Sequence, residues 1–114
     1  MENVILEKSY RLSVRIVRLN QYIRSNHREY VLSRQLLRAG TSIGANVTEA
    51  QHAQSKADFI AKLSIALKET GETKYWLRLL NETDYLPDAG FRSVMRDCIE
   101  VERLLIAIIK SAKL

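Results

Sequence analysis

The stretch Leu36–Gln54, LLRAGTSIGANVTEAQHAQ, decides the fold of this chain. One set of its residues recurs at steps of four and three, as on one face of a helix: Leu36, Gly40, Ile43, Val47 and Ala50. Small residues crowd the same region: Ala39, Gly40, Ser42, Gly44 and Ala45. Each glycine inside a helix costs about 1 kcal/mol relative to alanine, and close approach of a neighbouring helix is the natural compensation. The stretch therefore predicts one helix of a tightly packed bundle.

The composition favours a few long helices in one domain. The chain has 114 residues, of which 46% are hydrophobic, and it contains only four glycines and one proline. A chain that needs many turns uses more of both. We therefore expect a single domain over residues 1–114, with enough apolar side chains for a core.

Cysteine usage and the N-terminus indicate the compartment. The single Cys98 cannot form an internal disulfide, and MENVILEK contains an acidic residue and no long apolar run. We expect no signal peptide. The longest apolar run, residues 104–109, is far short of a membrane span. We predict a soluble protein of a reducing cytoplasm with no membrane partner.

Hydrophobic periodicity predicts four helices with short connections. We place them at residues 3–24, 31–53, 55–83 and 89–112. Ser25 to Arg28 predict a polar turn after the first helix. Ser55 to Asp58 predict a capping box, in which the Ser55 hydroxyl accepts from the Asp58 amide and Asp58 reaches back. Asp88 is a candidate cap of the fourth helix. Two adjacent helical hairpins give an all-α, antiparallel up-down-up-down four-helix bundle.

The fourth helix carries more apolar surface than a lone subunit needs. Its seam comprises Phe91, Val94, Cys98, Val101, Leu105 and Ile108. A second row widens the apolar surface to more than half of the circumference. Trp76 on the third helix falls about 90° off its own seam, either at the margin of the bundle or between subunits. The surplus predicts a homo-oligomer, with an interface made of Met95, Ile99, Ile106, Ile109, Ile65 and Trp76.

The net charge of +5 lies entirely in the first third of the chain. Residues 1–40 hold eight basic and three acidic side chains, whereas residues 41–114 hold ten of each. Such asymmetry favours an acidic partner, nucleic acid first. The predicted nucleic-acid surface comprises Lys8, Arg11, Arg15, Arg18, Arg24, Arg28, Arg34 and Arg38.

The first four of these basic residues recur at three and four residues and form a ridge on the first helix. The ridge is either a solvated face or a phosphate-tracking surface. No aromatic platform for base stacking is evident in the sequence. We therefore expect little sequence specificity.

Side chains with catalytic or metal-binding potential form no complete motif. Glu49 and His52 have the Glu-x-x-His spacing of ferritin-like di-metal sites, but the second copy that such sites need is missing. Cys98 falls on an apolar seam, where an inert thiol is expected. Gly40 and Gly44 do not follow a strand and so predict no phosphate-binding loop. We predict no catalytic residue, no metal and no cofactor.

Three polar residues of the helices are predicted to form hydrogen bonds or ion pairs between helices instead. Asn46 flanks the apolar face of the second helix, where it could hydrogen-bond across the bundle to Thr70, or to Ser42. Glu69 and Glu72 of the third helix are expected to meet Arg34 or Arg38. These residues are predicted to maintain the bundle rather than to perform chemistry.

The segment Leu36–Leu80 resembles the signature of a bacterial family. The matching residues are Arg38-Ala39, Ser42-Ile43, Asn46-Val47, Glu49, Ser55, Phe59, Leu63, Ile65-Ala66, Glu69, Glu72-Thr73 and Trp76-Leu77. Polar and small residues match at fixed offsets as well as apolar ones, and the match covers about residues 5–110. The chain is similar to the four-helix-bundle proteins related to the 23S ribosomal RNA intervening-sequence protein. It departs from many relatives at Ala50, where they have glycine.

The resemblance implies an antiparallel four-helix bundle that assembles as a ring-like homopentamer without established catalytic residues. One branch of the family is encoded within intervening sequences of 23S ribosomal RNA genes. Another branch is the accessory variability determinant of diversity-generating retroelements, which binds its reverse transcriptase and nucleic acid through a basic surface. We therefore expect a non-enzymatic oligomer that binds RNA or DNA with low sequence specificity. The alternative is a scaffold that docks a reverse transcriptase or another ribonucleoprotein component.

Overall fold

The computed structural model describes residues 3–114, and all regular structure within this range is helical. The helices are α1 (Val4–His27), α2 (Leu32–Ala50), α3 (Lys56–Glu82) and α4 (Asp88–Ala112). Consecutive helices pack against each other and α4 closes against α1, so each helix has two neighbours. Because the connections are short, neighbouring helices run antiparallel and form an up-down-up-down bundle. Its Cα atoms extend 45 × 23 × 21 Å.

The apolar seams of all four helices meet in one core. The largest fully buried side chains are Leu12, Ile16, Ile23, Leu36, Ile43, Leu63, Leu77, Leu80, Leu86, Leu105, Val47 and Val94. Burying one such side chain contributes about 1.5–3 kcal/mol, so this core dominates the stability of the fold. Thr70 and Thr73 share the α3 seam, and their hydroxyls donate to the Leu67 and Glu69 carbonyls of the same helix. Their polar groups are therefore satisfied inside the core.

Helix α2 approaches α1 closely because two of its residues have no side chain. A Cβ at Gly40 would lie 2.7 Å from both Cγ atoms of Ile16. A Cβ at Gly44 would lie 2.9 Å from Ser13 Oγ and 3.1 Å from the Ser9 carbonyl oxygen. The close approach predicted for this stretch is present, and the neighbour that approaches is α1.

Two helix ends differ from their predicted positions by three residues. Helix α1 continues through residues 25–27, which were predicted to form a turn, and the Asn26 side-chain amide donates to the Tyr22 carbonyl within the helix. It ends where Arg28 takes the left-handed conformation (φ 52°) and its N–H donates to the Arg24 carbonyl. Helix α2 ends at Ala50, since the next N–H groups bond only three residues back and tighten the chain into a turn.

The predicted caps are confirmed at α3 and wrong at α4. The Ser55 hydroxyl accepts from the Asp58 N–H at 3.0 Å, and Asp58 reaches back to the N–H of Gln54 rather than of Ser55. At α4, Asp88 provides no cap bond to its own helix. Its carboxylate accepts from the Asn81 side-chain amide at 2.8 Å instead, which ties the end of α3 to the start of α4.

Glu29 caps α2 from the preceding loop. Its carboxylate accepts from the N–H groups of Val31 and Leu32, both at 3.0 Å, and of Ser33 at 2.8 Å. Burial by itself would raise the pKa of Glu29, but the donors from Leu32, Ser33 and Val31 together outweigh it and hold the pKa below its ordinary value. The carboxylate also meets the positive end of the helix dipole.

None of the helices within residues 3–114 has an apolar stretch long enough to cross a bilayer.

Candidate nucleic-acid interface

The ridge predicted on α1 lies beside α4, and ion pairs with α4 hold two of its four members. Lys8 Nζ lies 3.1 Å from Glu100 Oε1. The Arg15 guanidinium donates to Asp97 Oδ2 at 2.6 Å and to the Ser93 hydroxyl at 2.7 Å. These side chains are partly exposed, so each pair adds little stability. Each pair nevertheless offsets the positive charge that the cation would offer to a ligand.

The other two ridge residues are more available. Arg11 pairs with Glu7 of the same helix at 3.0 Å, but both side chains are largely exposed. Such a pair is readily exchanged for another anion. Arg18 makes no ion pair with any residue in the range 3–114. Within the ridge, Lys8 and Arg15 are therefore neutralised by carboxylates of α4, whereas Arg11 and Arg18 remain available to a ligand.

Three further predicted residues lie where α1 passes into α2. Arg24, Arg28 and Arg34 are exposed and make no ion pair with the part of the chain that the structure describes. The Arg24 guanidinium carbon lies 5.0 Å from the centroid of the Tyr30 ring, which is a cation–π contact. These cations form a group at one end of the bundle, apart from the ridge.

Arg38, the last predicted residue, lies on a different side of the molecule. It pairs across the α2–α3 interface with Glu69, at 3.5 Å, and with Glu72. Glu72 also accepts from the Trp76 indole N–H at 3.0 Å. Of the two arginines predicted to contact these glutamates, Arg34 and Arg38, it is Arg38 that pairs with them. Because two carboxylates hold it, Arg38 is a poor candidate for a phosphate contact.

A second basic stripe, which we did not predict from the sequence, follows the outside of α4. Its members are exposed and unpaired within the described range: Arg92, Arg96, Arg103 and Lys110. Steps of four, seven and seven residues keep them on one helical face. That spacing was visible in the sequence. Summing charge over residues 41–114 concealed it, because carboxylates on other faces cancelled these cations.

The ridge and this stripe together make one side of the bundle basic; we call it the basic flank. Its cations are Lys8, Arg11, Arg15, Arg18, Arg92, Arg96, Arg103 and Lys110, and its carboxylates are Glu7, Asp97 and Glu100. The ion pairs between α2 and α3 on the opposite side combine Arg38 and Lys62 with Glu49, Glu69 and Glu72. The basic flank therefore carries eight cations and three carboxylates, an excess of positive charge that favours a polyanionic ligand.

Cys98 is buried in the core, as the sequence predicted. Its Sγ lies 3.7 Å from the Thr70 carbonyl, to which the thiol donates. Burial, followed by the negative charge of Glu102, raises the pKa of Cys98 to about 12. The thiolate needed for a nucleophile is therefore nearly absent at neutral pH.

The Glu-x-x-His pair lies apart from any other metal ligand. Glu49 is 3.7 Å from Lys62 Nζ, and His52 is exposed just beyond the end of α2. Within residues 3–114, no three His, Cys, Asp or Glu side chains are grouped so as to hold a metal ion.

Asn46 does not bond across the bundle to Thr70; its amide donates to the Ser42 carbonyl of its own helix at 2.8 Å.

The residues predicted to form an oligomer interface are unequally exposed. Ile109 is only 7% exposed and belongs to the core of the subunit, because the α4 seam extends to it. Met95, Ile99 and Trp76 are half-buried. Ile106, at 47% exposed, and Ile65 are the two that remain widely open to solvent. The apolar surplus of α4 is thus smaller than its sequence suggested.

A more exposed apolar stripe lies on α1. Tyr10 is 68% exposed, and Val14 and Val17, at i+4 and i+7 from it, are also open to solvent. The stripe borders Ser13, which contacts α2 at Gly44, so it follows the α1–α2 side of the bundle. On the α3–α4 side, a groove is lined by Gly71, Lys74, Tyr75, Arg78, Leu79, Glu82 and Met95. Since each helix has two neighbours, these two sides face in opposite directions.

The fold and its surface define an all-α protein of four helices with a basic flank and two uncovered apolar surfaces. The chain belongs to the 23S rRNA-intervening sequence protein family, whose model matches residues 1–107. The family resemblance found in the sequence is thereby confirmed.

A solved structure is also similar to this chain along nearly all of its length. It is the crystal structure of a protein of unknown function, from the S23 ribosomal protein family, of Bacteroides thetaiotaomicron. The two sequences are 51% identical, the alignment covers 93% of this chain and 98% of that one, and the TM-score is 0.91. No curated protein matches the chain. The comparisons therefore establish the family and the four-helix fold.

Proposed function

We propose that this protein is a non-enzymatic, homo-oligomeric accessory protein that binds RNA or DNA through its basic flank. The observation that carries the proposal is the α4 stripe, which forms no ion pair within residues 3–114 and lies beside Arg18 and the ion-paired Lys8 and Arg15. Membership of a family named for an intervening sequence of 23S rRNA supports a nucleic acid as the partner.

The flank is suited to contacts with phosphates rather than with bases. Arg96, Arg103 and Lys110 recur every seven residues, which spaces them about 10 Å apart along the helix. Such cations bind the phosphate backbone, and backbone contacts carry no sequence information by themselves. We therefore propose low sequence specificity along this flank.

Self-association would multiply these weak contacts. A closed ring requires two different surfaces on each subunit, which meet head to tail. The α1 stripe and the α3–α4 groove are two such surfaces, on opposite sides of the bundle. We propose that the stripe of one subunit packs into the groove of the next. The basic flanks of successive subunits would then be presented together, and binding would gain from multivalency.

A second candidate function is a scaffold that docks a reverse transcriptase or another ribonucleoprotein component. The exposure of Tyr10 on the α1 stripe favours it, because a partner protein could cover that stripe in place of a second copy. A neighbouring gene for a reverse transcriptase with a variable repeat would support the scaffold. A position inside a ribosomal RNA operon would support the nucleic-acid-binding role.

The test is the salt dependence of binding to labelled single-stranded RNA and duplex DNA. The double variant Arg92→Glu with Arg103→Glu removes two cations from the flank. The variant Lys56→Glu with Lys68→Glu makes the same change in net charge on exposed residues of α3. For single strands, each lost phosphate contact should reduce the slope of log K against log salt by about 0.7. We expect a slope smaller by about 1.4 for the first variant and little change for the second. Equal loss in both variants would reject the flank as the binding surface.

A further inference from the structure

Three aromatic rings meet at the end of the bundle where α1 and α3 finish. The centroids of the Tyr22 and His27 rings are 5.8 Å apart, with an angle of 66° between the planes. The His27 and Tyr85 centroids are 5.6 Å apart, at 86°. We call these rings the aromatic cluster. The sequence did not predict it, because Tyr85 joins the other two only when the α3–α4 loop folds against α1.

Two of the three rings of the cluster are open to solvent, whereas Tyr85 is half-buried and packs against the core. Tyr22 is 38% exposed, His27 is exposed, and Tyr30 nearby in the α1–α2 loop is 46% exposed. None of the three tyrosine hydroxyls has a hydrogen-bond partner among residues 3–114. Large rings with one face towards water are the surfaces on which unpaired bases stack.

Cations without an ion pair in the described part of the chain border the cluster. Arg18 lines a shallow groove together with Tyr22 and Gly90. Arg24 lies over the Tyr30 ring at 5.0 Å. Arg28 follows His27 directly and holds the left-handed conformation that normally favours glycine, although its side chain is a cation. Phosphates on either side of a stacked base could therefore be met by arginines.

The carboxylates at this end are mostly engaged in the fold. Glu29 accepts from three backbone N–H groups, Asp88 accepts from Asn81, and Glu82 pairs with Arg78 at 3.8 Å. Asp84, next to Tyr85, has no ion-pair partner within the described range. Asp84 would therefore directly oppose a phosphate, as would Glu82, whose ion pair with Arg78 is largely exposed.

We infer that the aromatic cluster, with Arg18, Arg24 and Arg28, binds single-stranded nucleic acid by stacking unpaired bases. This inference rests on the proposed function and narrows its ligand to strands whose bases are accessible. A duplex keeps its bases stacked inside, so it can use the basic flank but not the cluster. The aromatic platform that seemed absent from the sequence is assembled from segments about sixty residues apart.

The experiment compares three labelled probes of equal length, about ten nucleotides: a single strand, an abasic strand with the same phosphates, and a duplex. The variants are Tyr22→Leu, Tyr22→Phe and the control His52→Leu, which removes an exposed ring just beyond the end of α2, at the other end of the bundle. Tyr22→Leu should weaken binding of the base-bearing single strand about 5- to 20-fold and leave the abasic strand unchanged. Tyr22→Phe should bind like the wild type, because stacking needs the ring and not the hydroxyl.

A further variant tests the electrostatics without removing a ring. Asp84→Asn should tighten binding of the single strand about twofold, and asparagine tolerates the left-handed backbone at this position (φ 70°). Circular dichroism melting checks that each variant is folded. If Tyr22→Leu does not fold, the Tyr22→Phe and Asp84→Asn arms, with the comparison of base-bearing and abasic strands, decide the matter.

The outcomes separate this inference from the proposed function. If the wild type binds base-bearing and abasic strands equally, or if Tyr22→Leu weakens both alike, stacking is rejected while the basic flank stands. If the wild type binds none of the probes, the proposed function and the stacking site both fall. Selective loss of binding to the base-bearing strand in Tyr22→Leu, with His52→Leu unchanged, supports the cluster.

Discussion

Gly44 of α2 lies directly against the backbone of Ser9 in α1. A Cβ at Gly44 would be 3.1 Å from the Ser9 carbonyl oxygen, and that oxygen also accepts from the Ser13 hydroxyl at 3.1 Å. A carbonyl inside a helix cannot rotate away from an added methyl group. The close packing of α1 against α2 at this point therefore requires a residue without a side chain.

The first prediction compares two alanine substitutions at helical glycines. Gly44→Ala should lower the free energy of unfolding by about 2 kcal/mol, because the helices must move apart. Gly71→Ala should raise it by about 1 kcal/mol, because nothing lies within 4 Å of the added Cβ and alanine favours the helix. Urea unfolding of dilute protein, followed by circular dichroism, measures both. Two stabilised variants would show that the α1–α2 contact is looser than this geometry.

The second prediction concerns the cap on α2. Glu29→Gln should lower the free energy of unfolding by about 1 kcal/mol at neutral pH, since the charged acceptor is lost. The folded pKa of Glu29 is lowered, so its contribution is complete above the ordinary value of 4.5 and is lost as the pH falls through the lower folded value. The difference in the free energy of unfolding between wild type and Glu29→Gln should therefore disappear at acid pH.

Glu82→Gln is the control for the cap, because that exposed glutamate lies at the end of α3 rather than at a helix start. Unfolding curves at several pH values should show no destabilisation for it. If the free energies of unfolding of Glu29→Gln and wild type differ by a constant amount down to acid pH, the capping role is contradicted.

The third prediction concerns Cys98. With its pKa raised to about 12, only about one thiol in ten thousand is ionised at pH 8, and the sulfur is buried. A disulfide reagent such as DTNB should therefore react with the native protein far more slowly than with the urea-unfolded chain. Complete reaction of the folded protein within seconds would show that the α3–α4 contact opens readily.

The fourth prediction concerns assembly. Val14→Lys places a charge on the α1 stripe and Leu79→Lys places one in the α3–α4 groove, and both should reduce the mass measured by light scattering at a given concentration. Ala61→Lys makes the same charge change at an exposed residue outside both surfaces and should leave the mass unchanged. A wild-type protein that remains a single subunit at high concentration would contradict self-association.

Much of the fold could be predicted because helical periodicity is a local property. On α3, Leu63, Ala66, Leu77 and Leu80 are buried at the three- and four-residue spacing of one helical face, and the Ser55 cap depends on residues three apart. The errors at Arg28 and Ala50 are errors of helix ends, where a few backbone hydrogen bonds decide between a helix and a turn.

The candidate site was harder to predict because charge pairing is not local. Lys8 and Arg15 gave the same signal in the sequence as Arg18, yet their carboxylate partners lie some eighty or more positions later on α4. Arg103 was overlooked because its helix as a whole is balanced in charge. Which cations remain free depends on which helices are neighbours.

The sequence by itself determined the four helices, the faces they bury and the family, because these follow from the spacing of residues along the chain. Only the tertiary structure decided which cations are neutralised, that Ile109 belongs to the core, and that Tyr85 reaches His27. The physical reason is that burial and electrostatic pairing act through space, over a few ångströms, between groups that the chain brings together only when it folds.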